Sequence, residues 1–181
     1  MRLARILALP LLLFVVAAAG CDLASVQVRI TEDVVTPGSN EQHSTDSNIA
    51  MVGVDLADDS DWKEHKDNIK SVDAAGFVLR IHNNRSEAAT GRLYMSANPI
   101  ANPSLTILAN QATLILDGLA VPGNTSVELD FEDSLALEVN RTLLHEQMLT
   151  GKIFVYGVGE GAPFDVTIDQ FTVVVVVTVG S

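Results

Sequence analysis

Four histidines, a lone cysteine and one dense run of acids are the side chains here whose chemistry could matter. The histidines are His43, His65, His82 and His145. None stands in an HxH or HExxH spacing, which would aim two imidazoles at one metal from a strand or a helix. His43 falls in a polar stretch, and His65 and His145 fall on helical patterns, so scattered surface positions account for them. No Gly-x-Ser-x-Gly occurs, and with it no nucleophile elbow. Gly157-Val-Gly-Glu-Gly161 is rich in glycine. It lies between two strand patterns and has no lysine partner, so it reads as a hairpin turn and not as a phosphate cradle.

The acids cluster at Asp55, Asp58, Asp59, Asp61 and Glu64. Hard carboxylate oxygens this close together are what calcium takes, which makes these five the calcium candidates. The run lacks the central glycine and the terminal glutamate of an EF-hand loop. Helix capping explains the same residues, with Asp61 and Glu64 as a capping-box variant at an acidic helix start. Asp130 and Glu132 share one face of a predicted strand, about 7 Å apart by Cα. Hydrolases use such carboxylate pairs, but every acidic strand offers one, and no catalytic residue is assigned. No motif implies a cofactor. Asn84-Arg-Ser, Asn124-Thr-Ser and Asn140-Arg-Thr match the glycosylation pattern.

Cys21 is the only cysteine, so the chain can form no disulfide within itself. What precedes it gives it a role. Arg2 and Arg5 are followed by an uncharged apolar run, Ile6 to Ala17, and then by Ala18-Ala19-Gly20-Cys21. The run is shorter than the roughly 20 apolar residues a membrane-crossing helix needs. Residues 1–22 resemble a bacterial lipoprotein signal peptide with its lipobox. The resemblance implies cleavage before Cys21, a diacylglycerol on its thiol and acylation of its new amino group. Ala18 stands where that family most often has leucine, and Ala17-Ala18-Ala19 also fits the A-x-A of an ordinary secretory cut. Asp22 resembles the inner-membrane retention signal of enteric bacteria, a rule other lineages do not follow. The implied place is the cell envelope, lipid-anchored to the outer or the inner membrane. Residues 1–20 are then the signal peptide, 21–25 a lipidated tether and 26–181 one domain.

Losing Arg2 and Arg5 from the 11 basic residues leaves 9 against 23 acidic, a net charge of −14. Such a surface repels nucleic acid and anionic lipid heads and favours cationic partners or divalent ions.

The element pattern is one of strands. Val26, Val28 and Ile30 alternate with polar residues, as do Ala50 to Leu56, Phe77 to Ile81, Leu93 to Ala97 and Val127 to Phe131. Thr113 to Leu116 reads as a short strand, and Lys152–Val158 and Phe171–Val179 as long ones. Thr36 to Asn48 has no apolar residue beyond Pro37 and reads as an exposed loop. Helical spacing is confined to about 60–69 and about 139–149. Val173 to Val177 has no polar face, which requires an interior strand covered on both sides. The expected fold is all-β: an antiparallel β-sandwich, immunoglobulin-like in layout, with two short helices. An antiparallel barrel is the alternative. The expected function is that of a monomeric, membrane-anchored envelope lipoprotein, a non-catalytic binding or structural module with an envelope protein as its candidate partner. The alternatives are a calcium- or carbohydrate-binding module and, below that, a carboxylate hydrolase.

Overall fold

The computed structural model describes residues 25–45, 49–160 and 164–180. The expected signal peptide, Cys21 and Asp22 lie outside the described residues. The strands are β1 (Val26–Val35), β2 (Glu41–Thr45), β3 (Ile49–Asp55), β4 (Ile69–Asn83), β5 (Ala89–Ser96), β6 (Thr113–Val121), β7 (Ser126–Leu129), β8 (Lys152–Glu160) and β9 (Phe164–Val179). The helices are α1 (Ser60–His65), α2 (Leu105–Gln111), α3 (Phe131–Leu137) and α4 (Arg141–Met148), with 3₁₀ turns at Leu56–Asp58 and Lys66–Asn68.

Two antiparallel sheets face each other, β1-β9-β4-β7 with β2 added on β9, and β3-β8-β5-β6. The expected sandwich is present. Its strand order differs from an immunoglobulin layout. The pairs β5–β6, β4–β7, β3–β8 and β1–β9 nest inside one another along the chain, the arrangement of a jelly roll.

The valine run lies where its lack of a polar face requires, on β9 between β1 and β4. Val175 pairs with Ile30 on one side and Ala75 on the other, and all three are fully buried. Val173, Val175 and Val177 enter the core between the sheets. Val174 points the other way and is 1% exposed. It pairs with Gly76, and α3 lies against that glycine: a Cβ there would come within 2.6 Å of Ser134 Oγ. Ser134 Oγ accepts from Phe77 N at 2.9 Å and donates to Phe131 O at 2.7 Å, fixing α3 to the sheet.

Several elements differ from the sequence reading. Glu41–Thr45 is a strand, pairing with Ile168–Phe164 of β9. An edge strand is held by backbone hydrogen bonds and needs no apolar alternation, so its polar sequence gave no signal. Phe131 begins a helix instead of continuing β7, because the Asp130 carboxylate accepts from Asp133 N at 2.8 Å and caps it. α2 was not expected; Ser104 Oγ caps it by accepting from Ile107 N at 3.3 Å. Asp59, not Asp61, caps α1, accepting from Trp62 N at 2.8 Å, and α1 stops at His65. α4 starts only at Arg141 and buries Leu144 and Met148, while Leu143 is exposed. Gly151 ends it at φ +73, a conformation favouring glycine, with Trp62 of α1 packed against it.

A second cluster covers the outer face of the β3-β8-β5-β6 sheet, where Leu108 of α2 and Ile100 meet Tyr156 and Val158. Tyr156 is fully buried, and its hydroxyl accepts from Ile100 N at 2.7 Å.

Candidate functional site: a cavity between the sheets

The inner face of the β3-β8-β5-β6 sheet loses side-chain volume row by row. Val52, Val155 and Met95 stand in one register row, Ala50, Gly157 and Leu93 in the next, and Gly159 and Gly91 in the one after. Across from them Leu79 and Ile81 of β4 and Val166, Ile168 and Phe171 of β9 keep their bulk. The two faces do not meet, and a cavity of about 110 Å³ lies between them, lined almost wholly by apolar atoms. A Cβ on Gly157 would have no neighbour nearer than 3.9 Å, and one on Gly91 none nearer than 3.6 Å.

The polar residues at this space are His43, Thr90 and Arg92, and the Arg92 guanidinium is engaged by Asp117 and Glu160. On β2 His43 registers with Val166, itself a cavity residue. Its Nε2 is buried and has no hydrogen-bond partner among the described residues. Glu41 Oε2 stands 3.7 Å away, too far for a hydrogen bond. The side chain as a whole is 28% exposed, so His43 marks the edge of the cavity. Sequence reading could not find this site. Small residues at 50, 91, 157 and 159 form a floor only once three strands are in register.

The calcium candidates are placed close together and are engaged in structural contacts. Asp55 accepts from Lys152 Nζ at 3.0 Å and Ala57 N at 3.1 Å, and the Lys152 hydrogen bond holds its carboxyl below the usual range. Asp59 caps α1, Asp58 lies 4.0 Å from Lys63 Nζ, and Asp61 and Glu64 face solvent. Glu32 of β1 joins the group's field: burial first, then Asp59, Asp33, Asp58 and Asp55, push its carboxyl up. Among the described residues no three His, Cys, Asp or Glu side chains are placed to hold one metal ion.

Asp130 and Glu132 do not share a strand face, since Asp130 caps α3 and Glu132 sits in its first turn. The carboxylate pair that a hydrolase reading needed is therefore not formed. On the outer face of β4 and β7, His82 Nδ1 and Ser126 Oγ are 3.0 Å apart, brought together by strand register. No carboxylate bonds the other ring nitrogen among the described residues, and Ser126 is exposed, so the contact is a cross-strand polar pair. Beside it Arg80 bridges Glu128 at 2.9 Å and Asp169 at 3.3 Å.

No family model and no curated protein sequence matches the chain. Among solved structures it is similar to a chain of Desmodium yellow mottle tymovirus, at 13% identity over 88% of this chain and 90% of that one, TM-score 0.31. It is also similar to turnip yellow mosaic virus, at 11% identity over 87% and 93%, TM-score 0.34. Likeness this slight carries nothing about function.

Proposed function

We propose that this protein is a lipid-anchored lipoprotein of the bacterial envelope whose sandwich is a non-catalytic binding module. The anchoring part rests on residues 1–22, with Cys21 as the acylated residue. The binding part rests on one observation: a well-filled core that leaves an apolar cavity where four small residues line adjacent register rows. A pocket with apolar walls and few polar groups is what small-molecule sites generally look like. The strongly acidic surface, −12 over the whole chain, adds electrostatic preference for a basic partner at the membrane.

Fractionating cells that carry Cys21→Ser tests the anchor. Release from the membrane fraction, or failure to mature, supports it; a membrane-bound Ser variant of unchanged mature mass overturns it. Binding is tested by isolating the intact protein from membranes and identifying what it carries. A co-purifying small molecule or crosslinked protein supports the module. Turnover of a glycan, ester or peptide by the purified protein overturns it.

A further inference from the structure

We infer that the cavity between the sheets binds one neutral, single-chain amphiphile, with a hydrocarbon chain of about six carbons inside and a hydroxyl end at His43. This rests on the binding-module reading and specifies its ligand.

Size sets the chain. An apolar cavity of about 150 Å³ in another protein stays dry and takes benzene, so about 110 Å³ suits a slim chain of similar carbon count. The mostly apolar walls offer a water few hydrogen-bond partners, and a buried water needs two or more.

The floor is built, not accidental. Interiors are ordinarily packed without voids of this size, because each unfilled volume costs stability. Here Ala50, Gly91, Gly157 and Gly159 lie on three adjacent strands and face one space. A Cβ at Gly157 would meet nothing closer than 3.9 Å, so no steric demand of the fold excludes a larger residue there.

His43 sets the head group. Its Nε2 is buried without a partner among the described residues, and a hydroxyl, being both donor and acceptor, satisfies either tautomer of the ring. A carboxylate head would meet Glu41 Oε2, 3.7 Å from that nitrogen, and a chain of net charge −12. A neutral head is therefore favoured.

The ligand is a separate molecule and not the protein's own acyl anchor. An acyl chain long enough to hold a membrane would leave most of its CH₂ groups in water if only about six entered the cavity, at about 0.8 kcal/mol each, so the anchor stays in the bilayer.

The test titrates 1-hexanol into the full chain, held in lipid nanodiscs and labelled at Ile, Leu and Val methyls for NMR. Saturable shifts are expected at Leu79, Ile81, Val155 and Ile168. Affinity should rise roughly fourfold from 1-pentanol to 1-hexanol, the worth of one buried CH₂. Hexanoate should bind at least tenfold more weakly. Gly157→Leu should abolish the shifts. Gly157→Ala, which meets no close contact, should weaken binding without threatening the fold. His43→Leu should erase the preference for hexanol over hexanoate. Absence of saturable shifts at these methyls, or equal binding by wild type and Gly157→Ala, overturns the inference. If hexanol fails while a crosslinked envelope protein is still recovered, the ligand is wrong and the binding module stands. If the protein instead turns over a substrate, both fall.

Discussion

The two halves of the sandwich use the same sheets and end up differently. Toward Val26 and Val179, every inward row is filled: Val175 sits between Ile30 and Ala75, Val177 between Val28 and Val72. That half is also closed from outside, by α3 over Gly76 and by α4, which buries Leu144 and Met148. Toward Gly159 and Val166 the rows thin to alanine and glycine, and no comparable filling occurs. The filled half pins the fold, and the thin half is free to be a site. Substitutions should therefore have opposite signs in the two halves.

The largest expected effect is at the centre of the filled half. Val175→Asp places an unpaired carboxylate at a fully buried position on a central strand and should cost more than about 4 kcal/mol. Little or no folded protein should be recovered, and a cooperative urea transition close to wild type would refute the assignment of the valine run to the core.

Next is Gly76→Val. Its Cβ would stand 2.6 Å from Ser134 Oγ and 3.0 Å from the Phe131 ring, so α3 must move or the strand must bend. Overpacking of this kind costs about 1–3 kcal/mol, and losing the Ser134–Phe77 bond adds to it. The urea midpoint should drop, and amide exchange should rise first in α3. Unchanged protection in Phe131–Leu137 would show that α3 does not depend on this glycine.

The thin half should answer the other way. Gly157→Leu places apolar atoms in empty apolar space, so stability should stay within about 1 kcal/mol of wild type or rise. A loss as large as that of Gly76→Val would mean the two halves are equally packed and would remove the contrast.

How much of this could be read in the chain depends on which force sets each element. Two-residue alternation placed β1, β3, β4, β5 and β7, whereas β8, buried on both faces, was legible only as a long apolar strand. The unbroken valines of β9 identified a strand covered on both sides. β2 could not be read, because an edge strand of Glu-Gln-His-Ser-Thr is held by its backbone. α3 was hidden because Val127, Leu129 and Phe131 continue a strand rhythm that only the Asp130 cap interrupts. The number of strands was close to legible, whereas the nesting of β1–β9 around β3–β8 is a long-range property with no local signal. The cavity and the inward turn of His43 are further removed still, since both are products of register among distant segments. The acids at 55–64 were legible as a cluster, but Asp59 took the cap expected of Asp61 because the helix begins at Ser60, directly after it.

The smallest expected effect is a pH response in the filled half alone. His145 of α4 packs toward β4 with its Nε2 buried and without a partner among the described residues. Burial, and after it the Arg141 charge, lower its pKa from 6.5; Asp73 and the Val72 backbone pull the other way without reversing this. A histidine whose folded pKa is depressed contributes stability that is present above about 6.5 and is lost as pH falls through the folded value, because the unfolded ring protonates first. Urea midpoints should therefore decline as pH drops below 6.5, and His145→Leu should flatten that decline. Glu138, whose carboxyl burial raises above 4.5, acts in the opposite sense: its contribution is full below 4.5 and is lost as pH rises through its folded value. The cleanest window is thus from pH 7 down to just above the folded value of Glu138, where His145 still titrates. Binding at the cavity should not follow His145→Leu, because that residue lies against the filled half; a cavity affinity that changed with it would join the two halves that the fold keeps apart.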